Sequence, residues 1–113
     1  MLSPHFSRAE FRCNCNSCGQ DTVDAELIML CEAVRDFVKK PVRVLSGNRC
    51  PAYNRRIGGA RHSQHLYSRA ADLSVMHPRE VYDYLVAKFP NKYGFGVYPT
   101  FIHVDSRQNA ARW

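Results

Sequence analysis

The sequence lacks several features that would assign it to a protein class at once. It has no apolar run near the roughly 18 residues that a membrane-spanning helix needs, so we expect no membrane insertion. Its first six residues show no basic region followed by an apolar stretch, so we expect no secretory signal. It also has no linker, repeat or low-complexity tract, and its 113 residues therefore predict one domain, 1–113.

A long basic run is missing as well, although the chain is basic. Sixteen Lys and Arg residues against ten Asp and Glu residues give a net charge of +6. This balance suits an anionic partner such as an anionic cell wall, or it only solvates the surface. Because the basic residues are scattered and do not alternate with aromatic ones, we expect no nucleic-acid partner. We also expect a monomer.

An even set of cysteines, typical of a disulfide framework, is absent too. Cys31 lies on the apolar face of a predicted helix, where we expect it to be buried. The other four leave three alternatives open: a structural zinc site, a disulfide to Cys50, or free thiols. These four are Cys13, Cys15, Cys18 and Cys50.

Helix and strand patterns alternate along the chain. Apolar residues at helical spacing follow a possible N-cap at Asp24 and predict a helix to about residue 39. Further helical segments are predicted after a capping box at 7–10, around 53–56, and from Pro78 to about 89. Strands are predicted over 42–45, 70–75, 93–98 and 101–105, whereas 107–113 has no clear pattern. The mixture predicts an α+β fold in which helices pack on a small antiparallel sheet.

Two histidines and an aspartate are the candidate metal ligands. His65 precedes Asp72 by seven residues, and His103 lies in a later predicted strand. Two imidazoles and one carboxylate suit a catalytic zinc ion and leave a fourth position for water. Because side chains alternate along a strand, His103 and Asp105 should share a face that opens to a cleft. Spacing alone also allows a surface His65 and a partly buried His103 without metal.

The pattern around these residues resembles the zinc D-Ala-D-Ala carboxypeptidase superfamily, which includes D,D-dipeptidases, phage endolysins and the hedgehog domain. The resemblance covers residues 4–107. It rests on the Ser-x-His and Ala-x-Asp segments at 63–72, on Phe-Ile-His-Val-Asp at 101–105, and on three other segments. These are Phe6 to Phe11, Pro41 to Arg49 with its Ser-Gly-Asn-Arg ending, and Asn54 with 58–60.

The resemblance implies a role for each matching residue. His65, Asp72 and His103 would hold one catalytic Zn²⁺. Arg49 would stabilise the oxyanion or bind a substrate carboxylate, unless it forms a structural ion pair, for example with Asp105. Ser63 would shape the site through its hydroxyl. Most of five aromatic residues are expected in the core or the cleft wall: Tyr67, Tyr93, Phe95, Tyr98 and Trp113. Tyr67 and Tyr98 flank the site in sequence and are also candidates for substrate contact.

Two positions depart from the family pattern. Ser68 stands where a Gly usually supplies a backbone conformation with positive φ. Thr100 stands where many members carry the carboxylate that acts as general base, and Thr cannot do so at neutral pH. Asp105 is the best substitute, or it supports a ligand histidine instead. His62 is a weaker candidate.

The resemblance implies a zinc-dependent peptidase that hydrolyses peptidoglycan stem peptides, as a carboxypeptidase, an endopeptidase or an endolysin. The alternative is an inactive zinc-binding module with a structural or phage-particle role, which Thr100 favours. A second, structural zinc at the cysteines remains open. We expect cytoplasmic synthesis, with action at the cell wall after phage-type release or on a particle.

Overall fold

A five-stranded sheet carries the fold, in strand order β1-β2-β4-β3-β5. The computed structural model describes residues 2–15 and 17–113. The strands are β1 (Arg43–Ser46), β2 (Ala70–Ser74), β3 (Gly94–Val97), β4 (Phe101–Asp105) and β5 (Ala111–Arg112). The first four pair antiparallel, as expected, but β5 pairs parallel with β3. The α+β class is therefore confirmed, and the segment 107–113 adds a parallel edge that the sequence did not suggest.

Three α-helices accompany the sheet: α1 (Ala25–Val38), α2 (Pro51–Arg56) and α3 (Pro78–Lys88). Asp24 caps α1, since its side chain accepts a hydrogen bond from the Leu27 N–H. Lys39 ends α1 in the left-handed conformation, shortly before Pro41. Two short 3₁₀ helices, Arg8–Phe11 and Gln64–Tyr67, complete the elements. None of the described helices is long and apolar enough to cross a bilayer.

The core lies between α1, α3 and one face of the sheet. Alternation along β4 turns Ile102 and Val104 into this core, and both are fully buried. The same alternation turns His103 and Asp105 to the opposite face. The helices contribute a stripe of apolar side chains at helical spacing to the core. These are Leu27, Leu30, Cys31 and Val34 from α1, with Val81 and Leu85 from α3.

Candidate metal centre

The sheet brings the three predicted ligands together on the face that points away from α1 and α3. Asp72 in β2 lies directly opposite His103 in β4. His65 lies in the 3₁₀ helix that ends just before β2. Asp72 Oδ1 is 3.0 Å from His103 Nδ1 and 3.3 Å from His65 Nε2. One ligand atom from each residue lies within 4.8 Å of the others, so the group can hold a single metal ion.

Each of the two histidines has one ring nitrogen that faces Asp72 and one that faces away from it. The nitrogen that faces away is hydrogen-bonded elsewhere, which leaves the nitrogen beside Asp72 to bind a metal. His65 Nδ1 is 2.7 Å from the Gly47 carbonyl oxygen, which can only accept, so Nδ1 carries the proton. His103 Nε2 lies 2.7 Å from Asp105 Oδ2. Metal-binding histidines are generally held in this way, through their other nitrogen. The arrangement therefore fits a metal bound by His65 Nε2, Asp72 Oδ1 and His103 Nδ1.

The charges of the centre favour a cation. Burial alone would raise the pKa of Asp72, but hydrogen bonds with His103 and His65 hold it well below its usual range. Burial would also lower the pKa of His103, whereas its bonds to Asp105 and Asp72 raise it above the ordinary value. Asp72 is thus ionised and is stabilised by positive charge beside its carboxylate.

Asp105 lies beneath His103 and is fully buried. Its two oxygens accept hydrogen bonds from Arg107 Nε and Nη2, both at 2.8 Å, while Oδ2 also contacts His103. Burial raises the pKa of Asp105, but hydrogen bonds with His103 and Arg107 outweigh it and lower the pKa to about 2. Its carboxylate is therefore ionised and fully engaged, which suits the support of His103 better than proton transfer to a substrate.

Arg49 reaches the centre from the loop between β1 and α2. Its Nη2 lies 3.4 Å from Asp72 Oδ2, the oxygen that faces away from the histidines. Long contacts to Ser46 Oγ at 3.3 Å and Asn54 Oδ1 at 3.4 Å orient the guanidinium. The alternative ion pair between Arg49 and Asp105 is not observed, because Asp105 pairs with Arg107 instead.

Two serines shape the backbone around His65. Ser63 Oγ accepts a hydrogen bond from the His65 N–H at 3.2 Å and so caps the 3₁₀ helix. Ser68 ends that helix with a φ of 63°. The positive φ expected for a glycine is thus kept by serine here. The Ser68 hydroxyl donates to Asn48 Oδ1 and contacts Thr22 Oγ1, both at 2.6 Å, and these bonds help to hold the strained residue.

Trp113 forms one wall of the centre, which is one of the positions that the sequence allowed for the aromatic residues. Its ring centroid lies 4.9 Å from that of His103. Its Nε1 donates a 2.8 Å hydrogen bond to the Tyr98 hydroxyl, so the indole links Tyr98 to His103. Gly96, the strand partner of His103, leaves the space that the indole occupies.

The remaining sequence candidates lie at the surface. Thr100 is exposed in the turn between β3 and β4, and His62 is exposed in the loop before the 3₁₀ helix. Tyr67 is 52% exposed. None of the three belongs to the group of residues that could hold the metal.

A cleft of about 580 Å³ adjoins Arg49. Asn54 and Gly59 line it and also approach the Arg49 guanidinium. Two further arginines, Arg55 and Arg61, give the cleft a basic lining. The cleft next to Arg49 is therefore suited to a ligand that carries negative charge.

The four cysteines that the sequence left open converge at a second place. Cys50, at the N-cap of α2, meets the loop that carries Cys13, Cys15 and Cys18. All five cysteines of the chain are unpaired, and Cys31 is buried in the core. Hydrogen bonds from the Ser17 hydroxyl and from the backbone N–H groups of Cys18 and Ser17 lower the pKa of Cys15 to about 5.

Comparison with known proteins agrees with the geometry of the site. A family model described as Peptidase M15 matches residues 4–105, nearly the whole chain. It confirms the resemblance to the zinc D-Ala-D-Ala carboxypeptidase superfamily. A search of curated proteins finds no match to this chain. The family supports a hydrolase of the metallopeptidase class that depends on zinc. The chain belongs to the peptidase M15 family.

Proposed function

We propose that the protein is a zinc-dependent peptidase that hydrolyses the stem peptides of peptidoglycan. The observation that carries the proposal is the convergence of His65 Nε2, Asp72 Oδ1 and His103 Nδ1, with both histidines held through their other nitrogens. When bound there, zinc supplies a Lewis acid that polarises a carbonyl and lowers the pKa of water.

Arg49 is the residue best placed to bind the substrate. Its guanidinium is held between Ser46, Asn54 and Asp72 at the edge of the centre. A preorganised guanidinium stabilises negative charge that develops on a carbonyl oxygen, or binds a terminal carboxylate through two parallel hydrogen bonds. Either role needs the charge to stay fixed while substrate enters, and the three contacts provide this.

Asp105 acts in the proposal as a positioning residue. Its carboxylate holds the proton-bearing Nε2 of His103 and thereby fixes the tautomer that exposes Nδ1. Arg107 keeps Asp105 ionised from the other side. Ser63 positions His65 in a similar way, because its hydroxyl accepts a hydrogen bond from the His65 N–H at the start of the 3₁₀ helix.

The basic cleft beside Arg49 supports an anionic peptide as substrate. Arg55 and Arg61 line it, and peptidoglycan stem peptides carry free carboxylates that arginines bind. On the other side of His103, the Trp113 indole offers an apolar wall for the side chains of a bound peptide. The net charge of +6 suits an anionic cell wall as the place of action.

The inactive zinc-binding module is the second candidate. Thr100 in place of a carboxylate favours it, and so does the full engagement of Asp105. The match to a peptidase family does not favour it. The peptidase and the inactive module predict opposite results when the protein is incubated with peptidoglycan.

The test is digestion of purified peptidoglycan by zinc-loaded protein, with the soluble peptides identified by mass spectrometry. We expect stem fragments whose combined mass exceeds that of the parent by one water, and no such product from His103→Ala. His77→Ala is the matched control, because His77 is exposed at the start of α3 and should leave the activity unchanged. Absence of product from every wall type tested would support the module instead.

A further inference from the structure

A cluster of four cysteines lies outside the centre described above. Three of them come from one loop, and the fourth is the N-cap residue of α2. The four sulfur atoms all lie within 4.8 Å of one another, and those of Cys15 and Cys18 are 3.3 Å apart. Cysteines so far apart in sequence meet only because the N-terminal loop folds back onto the loop between β1 and α2.

The convergence of the four sulfurs within 4.8 Å leaves room for a tetrahedral zinc site after small adjustments of the side chains. Four thiolates about 2.3 Å from a central zinc ion would lie about 3.8 Å from one another. A disulfide needs sulfurs about 2.05 Å apart and would use only two of the four. The described cysteines contain no such bond, and four converging sulfurs are the complete ligand set of a closed structural site.

Backbone N–H groups point at the sulfurs of three of these cysteines. The Cys50 N–H donates to Cys13 Sγ at 3.3 Å. The N–H groups of Ser17 and Cys18 donate to Cys15 Sγ at 3.4 and 3.3 Å. The Tyr53 N–H donates to Cys50 Sγ at 3.5 Å. Such bonds orient the three sulfurs, as hydrogen bonds from surrounding groups commonly orient metal ligands.

We propose that Cys13, Cys15, Cys18 and Cys50 bind a structural zinc ion, separate from the candidate catalytic one. The ion would join the N-terminal segment to the loop that positions Arg49. That loop already contacts the same segment, because Asn48 donates to the Phe11 carbonyl from its backbone and its side chain. Cys50 follows Arg49 directly. The zinc ion would therefore fix the backbone next to Arg49, while Asp72 contacts the Arg49 guanidinium.

The site has a clear energetic role in a chain of this size. A structural zinc site forms only in the folded state, and its binding free energy therefore stabilises the fold. Around Cys15, the described part of the loop has no regular structure of its own and its residues are mostly exposed. The metal would supply the cross-link that apolar packing does not provide there.

Cobalt substitution tests the proposal on the unmodified protein. Metal-free, reduced protein is titrated with Co²⁺, and the absorption of thiolate-to-cobalt charge transfer is recorded. We expect these bands in wild type and equally in His103→Ala, because histidine and carboxylate ligands do not produce them. Zinc should then abolish the bands. Wild-type protein that binds cobalt without these bands would overturn the proposal.

Variants and thiol counting locate the site. We expect Cys15→Ser with Cys18→Ser to lose one metal ion per chain, whereas Cys31→Ala keeps the full metal content, since Cys31 lies in the core. Denatured, unreduced protein should react with a thiol reagent at all five cysteines after chelation. A count of three would indicate a native disulfide and contradict the zinc site. Neither result depends on peptidase activity, so the proposed function stands or fails separately.

Discussion

Asp105 has no oxygen that is free to act on a substrate. Arg107 binds both carboxylate oxygens and His103 binds one of them, at full burial. A general base must reach the proton that it removes, directly or through one water. At the scale of single residues, these contacts favour a role for the Asp105 carboxylate in supporting His103, a candidate ligand, over a role as base. The alternation of His103 and Asp105 along one strand face is visible in the sequence, but the burial of Asp105 and its pairing with Arg107, which follows the end of β4, are not.

Replacement of Asp105 distinguishes support from base catalysis. We expect Asp105→Asn to lower zinc affinity by about 10–100-fold, because the amide holds the His103 tautomer less firmly. The measurement is zinc competition with a chelator of known affinity. Asp83→Asn is the control, since Asp83 is exposed on α3 and forms only a surface ion pair. An unchanged affinity with lost peptidase activity would assign the base role to Asp105 instead.

Strand β5 sets one wall of the centre at the scale of secondary-structure elements. It pairs with β3 through Gly94 and Phe95, and the Trp113 N–H extends the ladder to the Phe95 carbonyl at 3.1 Å. Arg112 secures it, because its guanidinium donates to the carbonyls of Phe89, Lys92 and Tyr93. A two-residue strand has no detectable period, which is why the sequence did not predict it.

The absence of a side chain at Gly96 leaves the space that the Trp113 indole fills. A Cβ at this position would collide with the indole, including Nε1 and Cε2. We expect Gly96→Ala to expel the ring, break its bond to Tyr98 and shift its fluorescence emission to longer wavelength. The chain has one tryptophan, so the emission reports on this residue alone. Tyr98→Phe removes only the hydrogen bond, and it should leave the ring more protected from quenching than Gly96→Ala does.

Glu26 links the start of α1 to the segments on either side of the β3–β4 hairpin. Hydrogen bonds from the Tyr93 hydroxyl at 2.7 Å and from Lys92 at 3.2 Å lower its pKa. A carboxylate with a lowered pKa in the folded state stabilises the protein above its unfolded pKa, about 4.3 for Glu. That stability is lost as the pH falls below this value and through the folded pKa.

The pH dependence of a glutamine variant tests this link. We expect Glu26→Gln to have a lower melting temperature than wild type at pH 7, with the difference shrinking as the pH falls below about 4. Glu80→Gln is the matched control, because Glu80 occupies the first turn of α3 as Glu26 does that of α1. Equal effects of the two variants at all pH values would contradict the link.

At the scale of the whole molecule, the sequence predicted the parts that carry a regular pattern. Helices α1 and α3 and strand β4 lie where their apolar periods indicate, because burial against one sheet face imposes those periods. The three candidate metal ligands were identified through the resemblance rather than through spacing, since a short His-to-Asp interval is common. The structure adds that Gly47 and Asp105 hold the outward-facing ring nitrogens of His65 and His103, respectively.

Contacts between distant segments could not be predicted in the same way. The choice among the three alternatives for the cysteines depended on whether the loop at 13–18 reaches Cys50, and no local pattern encodes that. The partner of Arg49 could not be predicted either. Arg49 contacts Ser46 and Asp72, and these two residues lie opposite each other only because the register of β1 shifts between Val44 and Ser46. No pattern in the sequence indicates that shift. Such features depend on the packed fold.

Zinc content is the most direct test of the central claim, that His65, Asp72 and His103 hold a metal ion. Elemental analysis of wild-type protein and of His103→Ala, purified in parallel with zinc present, gives the number of ions per chain. We predict that the variant contains one zinc ion fewer than wild type, whatever the cysteines bind. Equal zinc content in the two proteins would contradict the account.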